Sequence, residues 1–304
     1  ITLDTFRTIL GMLEEFDQFT FSQSQASTYQ IAEVYGPEMF EQIKKYVKEG
    51  RWEISASTWV EADKNMPSTE SACRHPLYTK KYFEEKFGIN PDDLQVDFEP
   101  DTFGHSQNVP EILAKAGVKY YYHCRGVEQK RPYLFEAPSG AQVLVYQEPM
   151  WYNAEINENS IIQLPKLCND YGCPIGLKVY GVGDHGGGPT RRDIERIIDM
   201  QSWPVAPTIR FSTYHNFFHE LETYRGKFPV VKQELNYIFT GCYSTQSRIK
   251  AANRLTEDRL QSAEALTAFA NCLADGVNYQ KQYAKAWELV LFNQFHDILS
   301  GTCA

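Results

Sequence analysis

Three short stretches of this chain gather residue types that can do chemistry. Asp101 lies in the run Leu94-Gln-Val-Asp-Phe-Glu-Pro-Asp-Thr-Phe-Gly-His-Ser106. Asp184 sits in Tyr180-Gly-Val-Gly-Asp-His-Gly-Gly-Gly-Pro-Thr190, directly after an expected strand. His296 and Asp297 stand in Asn293-Gln-Phe-His-Asp-Ile-Leu-Ser-Gly-Thr302, at the end of the last expected helix. Two carboxylates carried on different strand ends suit glycoside hydrolysis. One must be ionised to attack an anomeric carbon, and the other must be protonated to release the leaving oxygen. A metal beside the first would hold it ionised, and surroundings hostile to charge would raise the pKa of the second. The glycines around Asp184 let backbone approach a ligand closely.

Plainer readings compete at each stretch. No Lys-Ser/Thr follows the glycines at 186–188, so they are not a P-loop, though a simple flexible loop would use them too. Asp101 lies too far upstream to cap a helix opening near Pro110. His296-Asp297 alone would pass as a surface pair. It is the joint presence of all three on one scaffold that favours a site.

That scaffold follows from the patterning. Phe6, Ile9, Leu10 and Leu13 have helical spacing, and a strand is expected at 19–22. Pro37 opens a helix that carries Phe40, Ile43 and Val47 on one face and that Gly50 closes. Strands are expected at 52–56, 94–98, 118–123, 142–147, 175–180 and 208–212. Helices are expected from Ser68 to about 87, from Pro110 to Gly117, and over 161–171 and 191–203. Pro76 and Pro165 should kink or split two of them. The alternation implies α/β architecture with a parallel sheet, closed as a barrel or open and doubly wound. Catalytic groups in such folds sit at the C-terminal strand ends. After about Gln246 two long helices follow with no strand between them, over 247–272 and 279–294. The boundary therefore falls within 232–244, dividing the chain into an α/β domain at 1–232 and a helical domain beginning at 233–304.

Bulk properties remove other classes. A net charge of −9 over 304 residues gives no broad footprint for nucleic acid or an anionic membrane. No stretch has the apolar length of a membrane span. No signal peptide begins at Ile1, although the chain starts without Met. The cysteines are odd in number and scattered, and Cys168 and Cys173 form a lone C-x4-C, so they read as free thiols in a reducing, cytoplasmic compartment.

The motifs together resemble glycoside hydrolase family 38, the α-mannosidases of the bacterial and cytosolic branch. Asp101-Thr-Phe-Gly-His-Ser106 resembles that family's D-x-F-G-H-S, Gly183–Thr190 its G-D-x-G-G-G-P-T loop, and 295–302 its H-D-x-x-x-G-T segment. Gly241-Cys-Tyr-Ser-Thr-Gln246 is similar to its G-x-Y-x-T-Q stretch, and Phe21–Gln25, Gly50–Glu53 and Trp59–Glu61 also fit. The resemblance covers nearly the whole chain in order. It implies a (β/α)7-type barrel followed by the start of a three-helix middle domain, and a retaining, zinc-assisted exo-α-mannosidase acting on mannose-containing oligosaccharides. By the same resemblance Asp101 is nucleophile and zinc ligand, His296 a second ligand, and Asp184 the general acid and then base. Phe103 packs on the sugar, Arg125 lies near the nucleophile, and Asp297 binds a sugar hydroxyl. The family takes two more zinc ligands from an H-x-D motif, which is expected upstream of Ile1. With two protein ligands alone the chain should hold Zn2+, or another divalent cation, weakly. No nucleic-acid or membrane partner is expected, and a homo-oligomer of the full-length protein stays open. Cys242 and Phe239 stand where related enzymes often carry other residues. The rival readings are a metal-dependent polysaccharide deacetylase barrel, which would not need Asp184, and a carbohydrate-binding module that has lost catalysis.

Overall fold

The computed structural model describes residues 1–127, 129, 131–153, 155–183, 186–274 and 276–302. The chain opens with α1 (Thr2–Glu15), β1 (Phe21–Gln23), α2 (Ala26–Tyr35), α3 (Pro37–Lys48), β2 (Trp52–Ile54) and α4 (Thr69–Phe87). It continues through β3 (Val96–Glu99), α5 (Val109–Lys115), β4 (Tyr120–His123), β5 (Pro132–Glu136) and β6 (Gln142–Gln147). Then come α6 (Glu158–Tyr171), α7 (Arg191–Met200), α8 (Tyr214–Glu222) and β7 (Val230–Val231). The helical part holds α9 (Ser247–Leu273), α10 (Gln280–Phe292) and α11 (His296–Leu299). None of the described helices is long and apolar enough to cross a membrane. Cys168 and Cys173 are both free and buried.

The expected α/β character with a helical part after it is present, but the strands do not close into one ring among the described residues. β1 and β2 form a parallel pair, and a separate sheet runs in the order β3-β4-β6-β5-β7. β5 is antiparallel to β6, a hairpin that the parallel reading left out. Its turn is built on Gly140, whose φ of 88° suits glycine. Among the described residues the expected strands at 175–180 and 208–212 join no ladder, and side chains bond backbone groups of Leu177, Ile209 and Ser212. The Tyr146 hydroxyl donates to the Leu177 carbonyl at 3.0 Å and accepts from its N–H at 3.3 Å. Thr20 and Gln201 donate to the carbonyls of Ser212 and Ile209. Neither Pro76 nor Pro165 splits its helix. In α4, Ser68 caps the first turn, a left-handed Gly88 ends the last, and buried His75, Thr79, Tyr82 and Phe83 pin the middle to the core.

Both faces of the larger sheet are covered. Tyr120, Tyr122, Leu144 and Tyr146 pack under Phe217, Phe218 and Leu221 of α8. Tyr121, Val143 and Val145 pack under Val109 and Leu113 of α5. Alternate residues of β4 thus point to opposite cores, as the two-residue period requires. A third core joins α1–α4 to the smaller sheet, with Trp52 and Tyr29 at its centre.

The helical part docks on α4 through buried polar groups. Glu257 Oε1 accepts from the Ser68 N–H, the Ser71 hydroxyl and the Gln294 amide. Arg74 forks onto Glu264 and lies 4.1 Å from the Trp287 ring centroid. His75 Nδ1 accepts from the Trp59 N–H, so its Nε2–H donates to Gln294 Oε1 at 3.1 Å. Burial, then the charge of Lys64, lowers the His75 pKa to about 3. The unfolded chain therefore binds a proton that the fold refuses between about pH 6.5 and 3. Stability from this residue is full above that window and falls as pH drops through it. His75→Gln should flatten the fall by up to about 1.4 kcal/mol per pH unit between pH 6 and 4, measured by chemical denaturation. An identical slope in both proteins would contradict a neutral His75.

Candidate active site

Asp101 lies just past the C-terminal end of β3, where a parallel sheet presents its loops. The turn carrying it is pressed close to the chain that leads into the helical part. A Cβ on Gly104 would meet Asn236 Oδ1 at 2.5 Å and Asn236 Cα at 3.2 Å, so a larger residue would have to displace the Asn236 side chain. The next residue, His105, is fully buried, and its backbone pairs with Leu235. Its ring contacts the Tyr121 hydroxyl at 2.6 Å and the Arg125 carbonyl at 3.1 Å. His123 Nδ1 contacts the same carbonyl at 2.6 Å, so two imidazoles anchor Arg125. From there Arg125 Nε donates to Asp101 Oδ1. Its guanidinium lies 5.0–5.9 Å from the rings of Phe103, Trp151 and Phe239.

His296 arrives from the other direction, on the first turn of α11. Its N–H donates to the Glu61 carbonyl at 3.1 Å, and its Nδ1 lies 2.9 Å from the same oxygen. A carbonyl only accepts, so Nδ1 carries hydrogen and Nε2 is aimed at Asp101 Oδ2, 3.6 Å away. Asp297 completes the group: ligand atoms of Asp101, His296 and Asp297 lie within 4.8 Å of one another. One oxygen of Asp297 accepts from Thr302 Oγ1 at 2.6 Å.

The charges follow from these neighbours. Burial pushes the Asp101 carboxyl up, but contacts with His296 and Arg125 outweigh it and hold its pKa below the usual value. Burial also opposes a charge on His296, yet Asp101 and Glu61 together raise its pKa to about 9. Glu61 goes the other way: burial raises it, against the pull of His296 and a 2.6 Å bond from Ser24.

The donor set fits a divalent cation. It offers carboxylate oxygens and an imidazole whose tautomer is already fixed by a second partner, as metal-ligating histidines require. Asp101, His296 and Asp297 are the residues that would hold it. Asp297, expected only on substrate, therefore becomes a third candidate ligand.

Five expected site residues, Asp101, Phe103, Arg125, His296 and Asp297, are thus brought together. Asp184 and His185 lie outside the described residues. Their neighbours Gly183 and Gly186–Gly188 line a cleft of about 440 Å3, together with Ser24, Gln25 and Glu61. All of these glycines have left-handed φ. Sequence reasoning missed the Lys64–Asp97–Glu99 ion cluster beneath Asp101, with Lys64 Nζ 2.9 Å from Asp97 and 2.7 Å from Glu99. The available signal was a pair of acids two apart in a strand expected to be buried on both faces. It also missed Trp151 beside Arg125.

Comparison with known proteins identifies the family of the chain. Residues 2–234 match the family described as glycosyl hydrolases family 38 N-terminal domain, and residues 237–304 match the alpha mannosidase middle domain. Alpha-mannosidase G of Dictyostelium discoideum is 33% identical over 98% of this chain and 28% of its own length. Alpha-mannosidase 2C1 of Homo sapiens is 27% identical over 97% of this chain and 29% of its own. The chain thus spans less than a third of these curated relatives. An alpha-mannosidase structure from Enterococcus faecalis V583 superposes with a TM-score of 0.81 at 21% identity, covering 99% of this chain and 36% of that one.

Ligand count gives a test of Asp297. Asp297→Asn should weaken divalent-cation binding about tenfold or more in a chelator competition, because a third donor is lost. Unchanged affinity would assign Asp297 to the substrate alone.

Proposed function

The chain belongs to glycosyl hydrolase family 38, and from that premise we propose that it is the catalytic part of a retaining, zinc-assisted exo-α-mannosidase acting on mannose-containing oligosaccharides. The observation that carries the reading is the Asp101–His296–Asp297 cluster beneath the Phe103 and Arg125 side chains. We take the scaffold as a (β/α)7-type barrel, as membership of the family implies, with the runs at 175–180 and 208–212 in the places of its remaining strands.

Asp101 is the nucleophile. Its carboxylate is held ionised by His296 and Arg125, and Arg125 fixes one of its oxygens in place. Attack on the anomeric carbon breaks the glycosidic bond as Asp184 passes a proton to the leaving oxygen. Asp184 then takes a proton from the water that cleaves the glycosyl–Asp101 ester, which restores both groups and retains configuration. Phe103 offers an aromatic face to the sugar and Asp297 an acceptor for a sugar hydroxyl. A bound zinc supplies charge that favours ionised Asp101 and polarises the sugar hydroxyls it meets. His296 would hold such an ion through Nε2, because the Glu61 carbonyl occupies Nδ1. A deacetylase reading leaves the glycine-flanked Asp184 without a task.

The roles of Asp101 and Asp184 separate on substrates of different leaving-group ability. In the full-length gene product, Asp101→Ala should abolish turnover of every mannoside. Asp184→Ala should spare glycosylation by an activated aryl mannoside, whose leaving group needs no proton, while losing a natural disaccharide. Equal losses of the glycosylation step on both substrates would show that Asp184 is not the acid.

A further inference from the structure

Residues 61–64 form a strap that touches both halves of the cluster. The Glu61 carbonyl takes both His296 bonds. Ala62 bridges to Phe295, and the Asp63 N–H donates to the Gln294 carbonyl at 3.0 Å. Lys64 bridges to His105, four residues after Asp101, and sends its ammonium to Asp97 and Glu99 on β3. Glu99 reaches past Asp101 to accept from the Thr102 hydroxyl at 2.5 Å. The two residues that flank the Asp101 turn are therefore tied to each other and, through Glu99, to Lys64.

Asp97 and Glu99 are both fully buried, so the pair demands a cation wherever the strap sits. Lys64, itself only 10% exposed in its side chain, is the cation that bonds both. A shift of the strap along β3 would break one bond or both. The same shift would move the Glu61 carbonyl, and with it the His296 ring.

We infer that Lys64 is a positioning residue: its ammonium locks the 61–64 strap in register with β3 and so sets the spacing between Asp101 and His296. The inference rests on the reading of those two residues as the reactive, metal-holding pair. A merely structural ion cluster would behave differently. Replacing a whole buried ion cluster by well-packed apolar groups of similar size often leaves stability intact, whereas removing one member strands the others.

The test compares wild type, K64M/D97L/E99M and K64R, in the full-length gene product. Three quantities are measured: the Asp101–His296 separation by crystallography, zinc affinity by chelator competition, and the denaturation midpoint. The triple variant should keep a midpoint near that of wild type, widen the separation, and weaken zinc binding about 10–100-fold. K64R, which keeps the charge, should recover part of that loss. A folded triple variant with wild-type separation and affinity overturns the inference. If the triple variant does not fold, E99Q decides by the same readouts: unchanged spacing and affinity overturn it, and a weakening of about threefold or more supports it. A wild type that binds no zinc would sink the metal reading, and the measured separations would still decide the role of Lys64.

Discussion

The Asp101–His296–Asp297 cluster depends on one backbone oxygen. The carbonyl of Glu61 accepts both the N–H and the Nδ1–H of His296, and this fixes the position, ring orientation and tautomer of an imidazole that belongs to the helical part. Each such bond contributes only about 1 kcal/mol net, so two would not hold a wandering segment by themselves. They succeed because Phe295 and Gln294 pair with the same strap and because the Glu257, Arg74 and His75 contacts dock the helices on α4. The α/β part brings Asp101, the helical part brings the imidazole and Asp297, and neither alone contains the cluster.

Charge explains why the arrangement is crowded. Asp97, Glu99 and Glu61 are buried, and Asp101 is largely so. Lys64, Arg125 and His296 are their cationic partners. The balance is set unequally: Asp101 is held below its ordinary pKa, while burial raises that of Glu61. An attacking carboxylate should be ionised, and a neighbour that shares its surroundings adds least repulsion when it resists ionisation. A cation bound at Asp101, His296 and Asp297 would take over the charge that protonated His296 supplies in its absence.

Much of this was legible in the sequence because it is local. The strand–helix alternation, the helix start at Ser68, and the Asp101 and His296 motifs all lie within short windows. Non-local pairings were not legible. Glu61 meets His296 across 235 positions, and Glu257 meets Ser71 across 186. The β5–β6 hairpin was overlooked although Pro-Ser-Gly at 138–140 is a turn signal, because strand–helix alternation favoured parallel pairing. The runs at 175–180 and 208–212 had the residues of strands, yet among the described residues they join no ladder, and a tyrosine hydroxyl holds both backbone groups of Leu177. Periodicity reports which face is buried and says nothing of which partner a backbone group finds.

The central claim is that Asp101 attacks the sugar. The most direct measurement is to treat the full-length, zinc-loaded gene product with a fluorinated α-mannosyl donor that forms the ester quickly and releases it slowly, then map the labelled peptide by mass spectrometry. The account predicts one sugar per active site, on the peptide containing Asp101. A label on any other residue, or steady turnover of the donor through a β-configured product with no covalent species, would contradict it.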